Sequence, residues 1–194
     1  MERLDAELDP LSDDALMVLF ANGDAAAARV LTARLLPRVL SHAARVLGDR
    51  AEAEDVAQEA MLRLWRAAAD WQTGGAKPST WLYRVTANLA VDRLRKAGRA
   101  VGLDDGPEPA DDAPGPEARL QQAGRIAALD AALARLPERQ RQAVVLRHVE
   151  GLSNPEIAEV LGIGIEAVES LTARGKRALA KGLAGQKEAL GYDR

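Results

Sequence analysis

The sequence predicts an all-α protein made of two small helical domains. Alanine, leucine, arginine and glutamate dominate its 194 residues, aromatic residues make up only 3% of the chain, and β-branched residues are sparse. These residues favour helices, and no convincing stretch alternates apolar and polar residues as a half-buried strand would. An acidic segment rich in proline and glycine, residues 101–117, separates two blocks of helical periodicity.

The composition also limits the classes of function. The chain has no cysteine and only two histidines, His42 and His148, which excludes disulfides, thiolate nucleophiles and multi-histidine metal sites. The sequence contains no phosphate-binding loop and no nucleophile beside a base, so we expect no catalytic residue, no metal, no cofactor and no enzyme activity. No apolar run approaches the ~20 residues of a membrane span, and the N-terminus lacks a secretory signal. We therefore expect a cytoplasmic protein with no membrane contact of its own.

The net charge of -3 hides a strong segregation of charge along the chain. Residues 77–99 hold six cations and one anion, residues 101–117 hold six anions and no cation, and residues 170–187 hold five cations and no anion. Two basic segments on either side of an acidic one predict two surfaces that face polyanions, joined by a negative connector.

Local signals predict the helix boundaries of the first block. Ser12 is a predicted N-cap, and a turn at residues 22–24 separates the first helix from a long second helix that Gly48 ends. A third helix is predicted over residues 49–71, with apolar residues at helical spacing. Trp65 belongs to that apolar row, so we expect it to pack in the core.

A fourth predicted helix, residues 77–99, carries a tryptophan in an unexpected place. Its aliphatic residues cover one broad side of the helix. The remaining narrow stripe is polar apart from this tryptophan, and it holds Trp81, Arg84, Asn88, Asp92, Arg95 and Arg99. Periodicity alone leaves the role of this stripe open, and a solvated helix face is one interpretation of it.

The acidic segment between the blocks is predicted to be a flexible linker. It holds four prolines, three glycines and six acids in seventeen residues, and so cannot bury enough apolar surface to offset the entropy of ordering. A helix over residues 118–136 follows it, and Pro137 starts another helix.

The end of the second block has the spacing of a DNA-binding helix-turn-helix. Ser153 and Glu156 form a predicted capping box, Gly162 makes the turn, and a second helix starts near Ile165. The inward face of that second helix is predicted to hold Val168, Leu171, Gly175, Ala178 and Leu179. The outward face, which would approach base edges and phosphates, holds Glu166, Glu169, Ser170, Ala173, Arg174, Lys176 and Arg177. An ordinary helical hairpin with a solvated basic tail is the alternative.

Four segments together resemble the extracytoplasmic-function (ECF) sigma factors of the bacterial sigma-70 family. They are "AEAEDVAQEAMLRLW", "STWLYRVTANLAVDRLRK", "LPERQRQAVVLRHVEGLSNPEIAEVLGI" and "EAVESLTARGKRAL". The resemblance runs from about Leu11 to Leu183, and the order and spacing of the segments make it specific. It implies a four-helix-type sigma-2 domain over residues 10–99 and a linker over 100–118. A sigma-4 helix-turn-helix domain over 119–185 and a tail over 186–194 would follow.

The resemblance also implies roles for individual residues. Core-polymerase binding would fall to Glu52, Glu54, Asp55, Gln58 and Glu59, although acids near a helix N-terminus are favourable in any case. Contacts to a melted minus-ten element would fall to Gln72, Thr73, Gly74, Gly75, Lys77, Trp81, Arg84, Asn88, Arg95 and Arg99. In that set Trp81 would stack on an exposed base or pack beside it, and the glycine loop would hold a flipped base.

The recognition helix departs from the family pattern. Family members commonly carry a basic "TVKSR"-like run where this chain has "AVESL", so Glu169 and Leu171 replace two cations. Glu169 could accept a hydrogen bond from a cytosine amino group, and a surface role in pairing the two helices is equally allowed. The acidic linker would either enter the polymerase RNA channel or act as a plain tether.

The resemblance implies an alternative sigma factor that directs promoter-specific initiation, in a stress or environmental response. The implied partners are core RNA polymerase, duplex minus-thirty-five DNA, the melted minus-ten nontemplate strand and an anti-sigma factor. A stand-alone helix-turn-helix regulator is the alternative. Such a regulator would use only the second block, and it would not form a stoichiometric complex with core polymerase.

Overall fold

The structure is a computed structural model that describes residues 8–100 and 116–184, with the backbone alone at 97–100 and 116–123. Every regular element in these ranges is helical, so the all-α prediction is confirmed. The predicted tail and most of the predicted linker lie outside the described residues. The helices are α1 (Asp13–Ala21), α2 (Ala25–Leu47), α3 (Arg50–Ala67), a 3-10 turn (Ala68–Asp70), α4 (Pro78–Ala100), α5 (Pro116–Ala134), α6 (Glu138–His148), α7 (Asn154–Leu161) and α8 (Ile165–Leu183).

Helices α1 to α4 pack around one apolar core, and α2 contacts the other three. Leu31, Leu64 and Leu82 are fully buried in this core, one from each of the three long helices. Trp65 is half-buried, and its ring lies 4.9 Å from that of Phe20. The tryptophan therefore packs on the core as predicted, with part of its surface exposed.

The predicted helix caps of the first block are present. Ser12 accepts a hydrogen bond from the Ala15 amide at 3.2 Å, and Gly48 ends α2 in the left-handed conformation at φ 72°. Asp24 caps the start of α2 by accepting from the amides of Ala26 and Ala27. These caps satisfy backbone groups that helix ends leave without intrahelical partners.

Helices α5 to α8 form the second bundle, in which α8 packs on both α5 and α6. Leu133, Val144 and Val145 are buried there, and Leu179 packs against them. Gly175 is the point of closest approach, because a Cβ added to it would lie 2.5 Å from Cγ2 of Val144. This glycine is therefore needed for the packing of α8 on α6.

Substituting Gly175 by alanine should destabilise the second bundle. The added methyl meets the stiff, buried Val144 side chain, and overpacking of this kind costs ~1–3 kcal/mol, while alanine returns up to ~1 kcal/mol of helix propensity. We expect a net loss of up to about 2 kcal/mol in the free energy of unfolding, measured by chemical denaturation. Gly182→Ala is the matched control in the same helix, because its Cβ would meet only Ala132 Cβ at 4.0 Å. Equal stability of the two variants would contradict the close-approach argument.

The two bundles pack directly against each other. Tyr83 and Ala87 of α4 share a buried apolar cluster with Ile157 and Val160 of α7 and with Leu146 of α6. The hydroxyl of Tyr83 donates to Glu150, in the segment between α6 and α7. Burial and this hydrogen bond both raise the pKa of the tyrosine well above its ordinary value. We call this contact region the domain interface.

Arg141 of α6 joins the ends of two helices at the domain interface. Its guanidinium donates to the Val46 carbonyl at 2.5 Å, near the C-terminus of α2, and to the Ala134 carbonyl at 2.9 Å, at the end of α5. Helix C-termini have free carbonyls and partial negative charge, so a cation is favourable there. Arg45 and Asp130 add a weaker ion pair between α2 and α5, at 3.8 Å.

Candidate nucleic-acid interface

The helix-turn-helix has the geometry that its local sequence signals predict. The Ser153 and Glu156 side chains each accept from the other's backbone amide, which completes the capping box. The carboxyl of Glu156 has its pKa lowered to about 2, first by the backbone and hydroxyl of Ser153 and then by Lys77. Gly162 turns the chain at φ 63°, and α8 starts at Ile165 as predicted.

The outward face of α8 is open. Ser170 is half-buried, and the other six residues predicted for this face are exposed: Glu166, Glu169, Ala173, Arg174, Lys176 and Arg177. On the inward face Val168 and Gly175 are buried, but the prediction was wrong for Ala178, which is exposed. Leu171 and Leu179 are half-buried as the inward prediction requires, and Leu179 and Gly182 face α5, which leaves Ala178 on the solvent side.

Trp81 is less exposed to solvent than its place on the polar stripe of the predicted helix suggests. It is half-buried, and its ring meets that of Trp71 edge to face, with centroids 6.1 Å apart. Trp71 is fixed in turn by a 3.0 Å hydrogen bond from its indole nitrogen to Asp14 of α1. Trp81 therefore packs against an anchored ring on one side, and part of its remaining surface is exposed.

The other predicted minus-ten residues divide into two groups. Lys77 forms a 3.0 Å ion pair with Glu156 of the second bundle, and Asn88 and Arg95 line a cleft of about 480 Å³ between α4 and the second bundle. These three residues are exposed, and so are Arg84 on α4 and the loop residues Gln72, Thr73, Gly74 and Gly75, which do not line the cleft. The side chain of Arg99 lies outside the described side chains. The domain interface therefore occupies part of the predicted minus-ten surface.

The predicted polymerase-binding acids lie on α3, and all four have cationic partners. Glu54 pairs with Arg50 at 3.1 Å and Glu59 pairs with Arg63 at 2.8 Å, both within the helix. Arg93 of α4 contacts Glu52 and lies 3.8 Å from Asp55. The exposed Gln58 lies between these pairs. A surface of alternating charge therefore replaces the simple acidic patch that the sequence suggests.

An apolar groove next to these acids was missed by the sequence reasoning. It has a volume of about 530 Å³ and runs between α2 and α3. Leu62 lies on it with 43% of its surface exposed, next to the half-buried Leu36, Leu40 and Trp65. The signal present in the sequence is the pair Leu36 and Leu40, four residues apart on α2 and outside the row of buried residues of that helix. The apolar lining consists of Leu36, Leu40, Ala57, Met61, Leu62 and Trp65.

Other classes of site find little support in the part of the chain that the structure describes. No cluster of three or more potential metal-ligating side chains occurs between residues 8 and 100 or between 116 and 184. Over the same ranges, no helix combines the length and the apolar character needed to cross a membrane.

Comparison with known proteins gives matches to both bundles. Residues 31–100 match the family model for sigma-70 region 2, and residues 126–179 match that for sigma-70 region 4. The sigma-H factor of Pseudomonas aeruginosa is 32% identical over 88% of this chain and 93% of its own length. The ECF sigma factor SigE of Mycolicibacterium smegmatis is 39% identical over 73% of this chain, but the match spans only 56% of that relative.

Solved structures show the same architecture. CnrH, solved in complex with the cytosolic domain of CnrY, is 28% identical with a TM-score of 0.62, over 89% of this chain and 97% of that one. RpoE of Bartonella quintana, solved with the anti-sigma factor NepR, has a TM-score of 0.67 at 22% identity, over 79% of this chain and 94% of that one, and shows the fold alone. Two family models in the right order and a relative that matches over nearly its whole length agree with the open recognition helix, and the chain therefore belongs to the ECF group of the sigma-70 family of RNA polymerase sigma factors.

Proposed function

We propose that this protein binds core RNA polymerase and directs promoter-specific transcription initiation. In this proposal the first bundle, residues 10–99, binds polymerase through α3 and the melted minus-ten element through α4. The second bundle, residues 119–185, reads the minus-thirty-five duplex with α8. The observation that carries the proposal is an exposed recognition helix in a chain whose other bundle matches sigma-70 region 2.

The test is reconstitution with purified core polymerase. The full chain should form a stoichiometric complex and support run-off transcription from a subset of a genomic promoter library. A chain that supports no initiation from any promoter in the library would overturn the proposal. The alternative, a stand-alone regulator, predicts binding to duplex operators without any complex with core polymerase.

The polymerase contact would combine charge with apolar burial. The acids Glu54 and Asp55 line the α2–α3 groove together with Met61 and Leu62. A basic helix with apolar residues on one side would fit such a groove, because it buries apolar surface and meets the two carboxylates. In this proposal the protein acts in the cytoplasm, where RNA polymerase meets promoter DNA.

A protein inhibitor is part of the same proposal. CnrH, a structural neighbour that is 28% identical and matches over 97% of its length, was solved with a second protein bound, the cytosolic domain of CnrY. We propose that an anti-sigma factor also binds this chain. Recovery of a stoichiometric inhibitor from native cells would support this, and repeated recovery of polymerase alone would count against it.

Promoter binding requires the two bundles to separate. The positions minus-ten and minus-thirty-five are roughly 25 base pairs apart, which corresponds to about 85 Å of duplex at 3.4 Å per base pair. In the structure α4 and α7 are in direct contact, and Lys77 is paired with Glu156. One duplex cannot reach both surfaces in this arrangement, so polymerase binding must open the domain interface.

The role of Trp81 can be tested with two variants of different chemistry. Both Trp81→Phe and Trp81→Leu shorten the packed side chain, but only phenylalanine keeps an aromatic face for stacking. We expect Trp81→Leu to reduce promoter opening by about 5- to 150-fold, and Trp81→Phe to reduce it much less. Permanganate reactivity of the melted strand measures opening, and core binding is the control. Equal opening by both variants would show that the tryptophan only packs against Trp71.

A further inference from the structure

The recognition helix carries acids where it would enter the DNA groove. Glu166 and Glu169 are exposed in the first half of α8, whereas the exposed cations Arg174, Lys176 and Arg177 lie in the second half. A carboxylate close to DNA phosphates is repelled unless it meets a hydrogen-bond donor. The acidic half of the helix therefore points to a specific donor on the base edges.

A long, weak hydrogen bond connects Glu169 to the neighbouring helix. The side-chain amide of Asn154, the first residue of α7, donates to Oε1 of Glu169 at 3.4 Å. This contact links the two helices of the motif through one carboxylate oxygen. It leaves Oε2 able to accept from another donor. A structural tie between the helices and an oriented acceptor are therefore compatible roles for the same side chain.

The donors and acceptors on the base edges favour one base as the partner of Glu169 Oε2. In the major groove guanine shows only acceptors, thymine shows an acceptor and a methyl group, and adenine shows an acceptor beside its amino group. Cytosine alone presents an amino donor without a neighbouring acceptor on the same base. A carboxylate is therefore matched by cytosine and opposed, at least in part, by the other three bases.

We propose that Glu169 reads a cytosine in the minus-thirty-five duplex, and that Asn154 is a positioning residue that holds its carboxylate toward the base. This inference rests on the proposed function, because it assigns a specificity to the same helix. It also explains why this chain differs from the basic run that its family commonly carries at this position.

The experiment is selection of minus-thirty-five sequences by reconstituted holoenzyme from a duplex library with this element randomised. We expect the wild type to enrich cytosine by about 5- to 10-fold at one position. Glu169→Gln should shift that position toward adenine, because an amide pairs with the amino group and N7 of adenine. Asn154→Ala should keep cytosine but lower its enrichment by about twofold, the lower end of the cost of ordering a free side chain. Glu159→Gln, exposed on α7 and in none of the proposed sites, is the matched control.

The outcomes separate the inference from the function on which it rests. If Glu169→Gln selects the same sequence as the wild type, the inference is overturned while the proposed function stands. If Asn154→Ala discriminates as well as the wild type, its positioning role is overturned. A wild-type holoenzyme that enriches no duplex would overturn the proposed function, and the inference with it. Circular dichroism and core binding of each variant check that these exposed substitutions leave the fold intact.

Discussion

A crosslink across the domain interface should abolish promoter-specific initiation. Arg45 and Asp130 lie on opposite sides of that interface, with Nε and Oδ1 3.8 Å apart, and neither belongs to a proposed binding surface. Because the chain has no cysteine, the double variant Arg45→Cys, Asp130→Cys would react with a short reducible bis-maleimide only at these two positions. We expect run-off transcription to fall by about 100-fold or more, since linked binding modules lose their joint affinity when geometry forbids simultaneous engagement.

Reduction and the single-cysteine variants provide the controls for the crosslink. Reduction of the linker should restore transcription in the same sample, and each single-cysteine variant treated with the reagent should behave like the wild type. Losing the ion pair itself matters little, because a partly exposed pair of this length contributes at most ~1 kcal/mol. Core binding measured in parallel shows which step is blocked. Normal initiation by the crosslinked protein would show that the bundles need not separate.

The helix ends and the turn of the helix-turn-helix could be predicted because their causes are local. A serine three residues before a glutamate, or a glycine after an apolar row, fixes backbone partners within one turn. Ser12, Gly48, Ser153 and Gly162 accordingly take the roles predicted for them. The exposure of the outward face of α8 follows from helical periodicity in the same way.

The domain interface could not be predicted, because it depends on pairs of residues far apart in the chain. Nothing local marks Arg141 as the cation that meets carbonyls at the ends of both α2 and α5. Periodicity placed Trp81 on a polar stripe, but only the folded chain brings Trp71 back beside it. The acids of α3 similarly find Arg93 on α4, which changes the charge pattern of the predicted polymerase surface.

The protein should lose stability in mild acid because of one buried histidine. His42 of α2 is fully buried, and both ring nitrogens lack a hydrogen-bond partner. Burial, and then the charge of Arg45, lower the pKa of His42 from 6.5 to about 4. Its ring meets that of Tyr83 at 5.5 Å, in a region that also contains Arg38 and Glu150. Protonation of His42 in the folded protein is therefore unfavourable.

The sign of the effect follows from proton linkage. Between pH 6.5 and pH 4 the unfolded chain binds a proton at His42 and the folded chain does not, so stability is full above pH 6.5 and falls as the pH drops toward 4. At 1.36 kcal/mol per pH unit the loss is roughly 3 kcal/mol, a large share of the 5–15 kcal/mol typical of a folded protein. Glu156, with a pKa of about 2, stays ionised throughout most of this window.

Chemical denaturation between pH 7 and pH 4.5 measures the effect. His42→Leu replaces the ring with an apolar side chain that does not titrate, so its stability should vary much less with pH over this range, and the difference from the wild type isolates His42. His148→Gln is the matched control: burial and the charges of Lys176 and Arg147 lower the pKa of this exposed histidine too, so we expect it to contribute to the slope in the same direction but less than the fully buried His42. If the wild type and His42→Leu lose stability in parallel as the pH falls, acid sensitivity does not arise at this buried ring and the carboxylates must account for it.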